Sequence, residues 1–140
     1  MGLTTWPRRS TKQRTYCWEI NLTDVDTIKS YHAHIYYRDL RERKKAALLR
    51  KFLETNREIR LGRWRDDPVG PHPCSMYQVA FPTALFSTVV PWLMLNRDDL
   101  SILVHPETGD DLVDHINNAL WLGEKLNLRL VFFKTEDMRR

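Results

Sequence analysis

All five histidines of the chain fall in three short segments: Tyr31-His32-Ala33-His34-Ile35-Tyr36-Tyr37, Pro71-His72-Pro73, and the stretch from Val104-His105 to Asp114-His115. The first segment alternates, and a β-strand sends residues i, i+2 and i+4 to one face. His32, His34 and Tyr36 then project side by side, with Ala33, Ile35 and Tyr37 turned the other way. The third segment closes an apolar run, Leu100 to Val104, and adds His105 to the carboxylates Glu107, Asp110, Asp111 and Asp114. Imidazoles and carboxylates brought together are the donors that a first-row metal ion takes. The pattern points to a metal site and, through it, to an enzyme.

Each segment also has a plainer reading. An HxH pair occurs in strands whose histidines merely fill an amphipathic surface. His72, held between two prolines, suits a structural turn or a lid residue acting as acid or base. His105 precedes Pro106, whose missing N–H helps to stop a ladder, and strand ends that lead into loops often carry function. His115 lies four residues after Asp111, the spacing of a helix-face pair. Glu107, Asp110 and Asp114 complement the start of a helix. Imidazole with possible carboxylate ligation and no thiolate favours Fe(II), Zn(II) or Mn(II), and spacing does not choose among them.

Regular elements must bring these segments together. The alternation predicts a strand over Tyr31 to Tyr37, then a helix from Asp39, its N-cap, to Thr55, burying Ala46, Leu49, Phe52 and Leu53. A short strand, Glu58 to Trp64, leads into a Pro-rich loop carrying His72. Ser75 to Phe81 alternates as a strand, and Leu85 to Asn96 reads as an apolar helix. A strand over Leu100 to His105, a helix started at Thr108 and burying Leu112, Ile116, Ala119, Leu120 and Gly123, and a strand over Leu128 to Phe133 complete the series. The order βαββαβαβ predicts an α+β, ferredoxin-like sandwich: an antiparallel sheet with helices on one face. The half-polar opposite face would carry the histidines, with the His72 loop as lid and a homodimer closing over it.

Composition narrows the class. At 140 residues, 42% hydrophobic and 29% charged, the chain reads as a soluble domain at residues 25–140 behind a basic, disordered tail at 1–24. No apolar stretch approaches the roughly 20 residues that span a bilayer. The net charge of +4 comes largely from Arg8, Arg9, Lys12, Arg14, Arg139 and Arg140 at the ends, with no recognition motif for nucleic acid. Cys17 and Cys74 form no disulfide framework, so a reducing, cytoplasmic location is expected.

Longer motifs carry a resemblance. YHAHIYY, Gly62-Arg63 with PVGPHP, MYQVAF, VPWLMLNR, and LVHPETGDDLVDH with LGEKL occur in this order between Tyr31 and Phe133. Together they resemble the DOPA 4,5-dioxygenase family of fungi and bacteria. The resemblance implies an Fe(II)-dependent extradiol dioxygenase that takes O₂ and opens the catechol ring of L-DOPA or a relative. By the family pattern His32 and His34 carry over from HxH, His72 from GPHP, and His105 and His115 from the VHP to DH segment. The expected roles are iron ligation by His32, His34 and His105, with His72 accepting the catechol proton and His115 beside it. Arg63 would hold a substrate carboxylate, and Tyr77 or Trp92 would stack on the ring. Two other classes stay open: a non-catalytic metal- or ligand-binding dimer, favoured by a closed four-ligand shell, and a zinc hydrolase.

Overall fold

The computed structural model describes residues 22–137. The basic tail up to residue 21, with Cys17, and the C-terminal Arg139 and Arg140 lie outside the described residues. Five antiparallel strands, β1 (Ser30–Tyr37), β2 (Arg60–Leu61), β3 (Ser75–Phe81), β4 (Ile102–Glu107) and β5 (Leu120–Leu122), form one sheet in the order β2-β3-β1-β4-β5. The first four are arranged as a split βαβ pair, the ferredoxin-like order, and β5 extends the β4 edge.

β1 is central and strongly alternating, so its parity sets both faces. Its register pairs Ile35 with Tyr77 and Ile102, and Ala33 with Val79 and Val104. These residues are buried under helices α1 (Leu40–Leu53) and α2 (Phe86–Asn96) in the main core. Asp39 caps α1 by accepting from the Glu42 amide at 2.8 Å, and the Glu42 carboxylate reaches back to the Arg38 amide at 2.7 Å. Ala46, Leu49 and Leu53 face the core as expected. Phe52 does not: it is 54% exposed and stacks on Trp92 outside the core, ring centroids 4.4 Å apart.

Two other expectations change at the edges. The strand over Glu58 to Trp64 contracts to Arg60–Leu61, with a single further pairing of Arg65 to Met76. The strand β4 continues through Pro106 to Glu107, because β5 pairs only with Ile102 to Val104 and leaves that end of β4 as an edge.

The C-terminal third departs most. Helix α3 (Asp111–Ile116) is capped by Asp110, not Thr108, and ends after six residues. The amides of Asn117 and Asn118 both donate to the Val113 carbonyl, so the turn closes there. Leu112 and Ile116 are exposed, and Leu120 begins β5 in place of a continuing helix. Leu128 to Phe133 is no strand; it leads into α4 (Val131–Asp137). α3 and α4 flank the other sheet face, so two short helices stand beside the histidines while α1 and α2 cover the main core. No helix among the described residues is long and apolar enough to cross a membrane.

Candidate metal centre

Strand parity that buries Ile35 and Tyr77 under the helices places His32, His34 and Tyr36 on the opposite face. Gln78 and Met76 of β3 and Leu103, His105 and Glu107 of β4 share that face. The register sets His32 directly opposite His105, and His34 opposite Gln78 and Leu103. Paired positions hold their Cβ atoms about 5 Å apart, so three imidazoles from two adjacent strands converge without any loop.

The other two histidines arrive from a loop and a short helix beside this face. His72 sits in the Pro-rich loop, pinned by its own amide to Val69 O (3.1 Å) and by the Arg129 amide to Pro71 O (2.8 Å). α3 brings His115 over the strands, its ring 4.0 Å from that of His105. The His34 and His72 rings are 4.1 Å apart and those of His34 and His105 5.2 Å. Thus all five histidines form one cluster. Their ring nitrogens make two sets that could hold a cation, His32/His34/His105 and His34/His72/His115, with one nitrogen per residue and all within 4.8 Å of one another.

Hydrogen bonds orient the rings. Nδ1 of His105 meets the Pro106 carbonyl at 2.9 Å, and Nδ1 of His115 meets the Asp111 carbonyl at 2.6 Å. Nδ1 of His32 lies 3.0 Å from a Glu107 carboxylate oxygen. A ring N–H given to a carbonyl or carboxylate leaves Nε2 as the ligand atom, the arrangement typical of metal-bound histidine. His34 differs: among the described residues its Nδ1 is buried without a partner, and its Nε2 lies 3.1 Å from His105 Nε2. Two nitrogens bound at about 2.1 Å and at a right angle would stand about 3 Å apart. The separation of the two Nε2 atoms therefore fits a shared cation, and so does the borderline-soft imidazole donor set.

The electrostatics keep the cluster neutral. Burial drives His34 well below the ordinary histidine value, and the surrounding histidines push the same way. Burial, with His115 nearby, lowers both His72 and His105 to about 3. His32 and His115 are lowered by burial as well. Neutral imidazole is the form that ligates a metal. Burial raises the Glu107 carboxyl, with Asp111 and Asp114 adding to it, and raises the Tyr36 phenol.

A recess of about 210 Å³ opens on the cluster, lined by His32, His34, His72, His115, Gln78, Glu107, Asp111, Pro71 and two phenylalanines, Phe132 and Phe133. It meets a second of about 290 Å³, which shares Pro71, His72 and Gln78 and contains Arg63 and Arg65. A third recess, about 430 Å³, touches the cluster only through His105 and lies along the 23–31 segment. The first two therefore define the site.

Arg63 thus lines the adjoining recess together with His72. Tyr77 and Trp92 do not reach the site. Tyr77 is fully buried on the helix-covered face, donating to the Ala46 carbonyl at 2.7 Å, and Trp92 packs on Phe52. The aromatic walls are Phe132 and Phe133 of α4, hidden in the sequence by the strand-like run at Leu128 to Phe133. Three more residues of the site went unassigned. Tyr36 contacts His72, and Glu107 supports His32. Asp114, 1% exposed, accepts from the Thr108 amide and hydroxyl at 2.8 and 2.7 Å. Asp114 ties the turn after Glu107 to the helix bearing His115. Their signal was present: Tyr36 and Glu107 share strand parity with the histidines.

Comparisons with known proteins identify the family. Residues 31–132 match the model of the Dopa 4,5-dioxygenase family. A Botryotinia fuckeliana protein of 21.2 kDa, uncharacterized, is 33% identical, the match covering 91% of this chain and 76% of that one. The DOPA 4,5-dioxygenase of Amanita muscaria is 36% identical over 77% of this chain, which spans 53% of the Amanita protein's length. The crystal structure of a candidate dioxygenase from Nostoc punctiforme is 50% identical, covers 82% of this chain and 99% of its own, and superposes with a TM-score of 0.79. With the match running over most of the chain and through all five histidines, the chain belongs to the Dopa 4,5-dioxygenase family.

Proposed function

We propose that this dioxygenase-family chain cleaves the ring of L-DOPA or a related carboxylated catechol in the extradiol manner, using Fe(II). The observation that carries the reading is the His32/His34/His105 triad, three neutral imidazoles on adjacent strands beside a recess. Three protein ligands leave open positions, as catalytic sites require. Ferrous iron would supply the one-electron chemistry that lets O₂ react with a closed-shell catechol. Zn(II) or Mn(II) would bind the same donors. The name of the Amanita relative favours L-DOPA.

The chain's own residues have separate tasks in this reading. At about 210 Å³ the inner recess is smaller than the roughly 300 Å³ of drug-sized pockets, which suits a single ring. Phe132 and Phe133 wall it and exclude water. Arg63, in the adjoining recess, holds the substrate carboxylate. His115, with Nδ1–H committed to Asp111 O, offers Nε2 to accept a catechol proton. His72 stands across the recess, its ring 5.9 Å from that of His115. Both atoms of O₂ enter the ring-opened product, so no external reductant is consumed. A second copy of the chain covers the histidine face, a dimer that sedimentation would detect.

The test is O₂ uptake by protein loaded anaerobically with Fe(II), on adding L-DOPA. One O₂ per catechol with a new visible chromophore, abolished in His32→Ala/His34→Ala, supports the reading. Tight metal binding with no uptake for any catechol would refute it and favour a binding protein.

A further inference from the structure

Four of the five histidines meet an oxygen through Nδ1, and these oxygens are not alike. His105 and His115 meet backbone carbonyls, and His32 meets a carboxylate. A carbonyl or an ionised carboxylate has no hydrogen to give, so each of these rings must carry its proton on Nδ1. His72 is different: its Nδ1 meets the Tyr36 hydroxyl at 2.7 Å.

Tyr36 has one hydrogen-bond partner among the described residues, and it is this nitrogen. The residue is 2% exposed. Its ring is clamped between His72 and Trp121, with ring centroids 5.7 and 5.9 Å away. If the hydroxyl accepted a hydrogen from His72, its own O–H would be buried with nothing to bond, the arrangement that folded proteins avoid. A phenol is also a better donor than acceptor, and a bare imidazole nitrogen is a good acceptor. The hydrogen therefore runs from oxygen to nitrogen.

We propose that Tyr36 is a positioning residue that donates to His72 Nδ1, so that His72 stands in the site as a fixed Nε2–H donor to an anionic substrate oxygen and is withheld from the metal. One consequence concerns the two nitrogen sets. With its Nδ1 lone pair engaged and Nε2 protonated, His72 cannot ligate, and the His34/His72/His115 set is not a metal site. Another concerns the role of His72. It does not accept the catechol proton; it stabilises negative charge on substrate oxygen, as preorganised donors in a dry site do. The proposal rests on the ring-cleavage reading only for the identity of that oxygen.

The ring tautomers can be read directly, without turnover. Two-bond ¹H–¹⁵N spectra of metal-free, ¹⁵N-labelled protein, with His72 assigned by its loss in His72→Gln, should show Nε2 protonated and Nδ1 bare. His32, His105 and His115 should show the reverse. One equivalent of zinc should move the ring signals of His32, His34 and His105 and leave the His72 pattern intact. A His72 protonated on Nδ1, or one that takes up zinc, overturns the proposal. In Tyr36→Phe the bare Nδ1 of His72 loses its donor, and its ¹⁵N signal should move downfield. Turnover of L-DOPA should then fall about 10- to 100-fold while zinc affinity stays within about twofold. An unchanged His72 Nδ1 signal in that variant also overturns it. A correct tautomer pattern without any ring cleavage refutes the reaction and leaves the positioning role; the wrong pattern with full turnover does the opposite.

Discussion

Acid should weaken the metal-free protein steeply, and the histidine cluster sets the amount. His72 and His105, held at about 3, stay neutral in the folded chain, while in the unfolded chain each titrates near the ordinary 6.5. The depressed folded value means that the unfolded state binds more protons below 6.5. The stability these groups contribute is therefore complete above that value and is lost as pH falls toward 3. Between pH 7 and pH 5 the linkage relation gives about 2 kcal/mol per histidine, so about 4 kcal/mol for the pair. His34, also lowered by burial, adds in the same direction, and the raised Glu107 carboxyl acts with opposite sign. Folded domains are stable by only about 5–15 kcal/mol, so the effect is large. Urea denaturation of metal-free protein at pH 7, 6 and 5, followed by tryptophan fluorescence, measures it. His72→Gln should remove about 2 kcal/mol of the pH 7 to pH 5 difference. A stability flat across this window, or a slope that His72→Gln leaves untouched, would refute a neutral buried cluster.

The site and the core make further predictions. His34→Ala removes the imidazole common to both nitrogen sets and should weaken zinc binding at least about 100-fold by calorimetry. Tyr77→Phe should cost about 1 kcal/mol in denaturation, since a buried hydrogen bond to Ala46 O is lost, with zinc affinity unchanged. Arg63→Gln should raise KM for L-DOPA about tenfold and leave that for unsubstituted catechol nearly unchanged.

Much of the site was legible because it lies on strands. The period-2 alternation of Tyr31 to Tyr37 and Ser75 to Phe81 placed His32, His34 and Tyr36 together on a face away from the helices, and the sheet pairs them as that parity requires. The same parity argued against Tyr77 as a ring-stacking residue, since it aligns with Ile35; aromatic character alone suggested the role. The C-terminal third was harder. Apolar residues from Leu112 to Leu120 continue a helical spacing past the point where Asn117 and Asn118 close the turn. The run Leu128 to Phe133 has no period that separates a strand from a short helix. Both are short elements whose state is decided by what they pack on. Phe133 packs its ring 5.3 Å from His115, a contact that no local pattern announces. Tyr36 and His72 are likewise partners 36 residues apart in sequence.

Isotope labelling tests ring cleavage most directly. Iron-loaded protein turning over L-DOPA under ¹⁸O₂, with the product reduced at once to stop aldehyde oxygen exchanging with water, should give a ring-opened compound carrying both labelled atoms. A product with one labelled atom, or with none and the label in water, would contradict dioxygenase cleavage of a catechol at the His32/His34/His105 site.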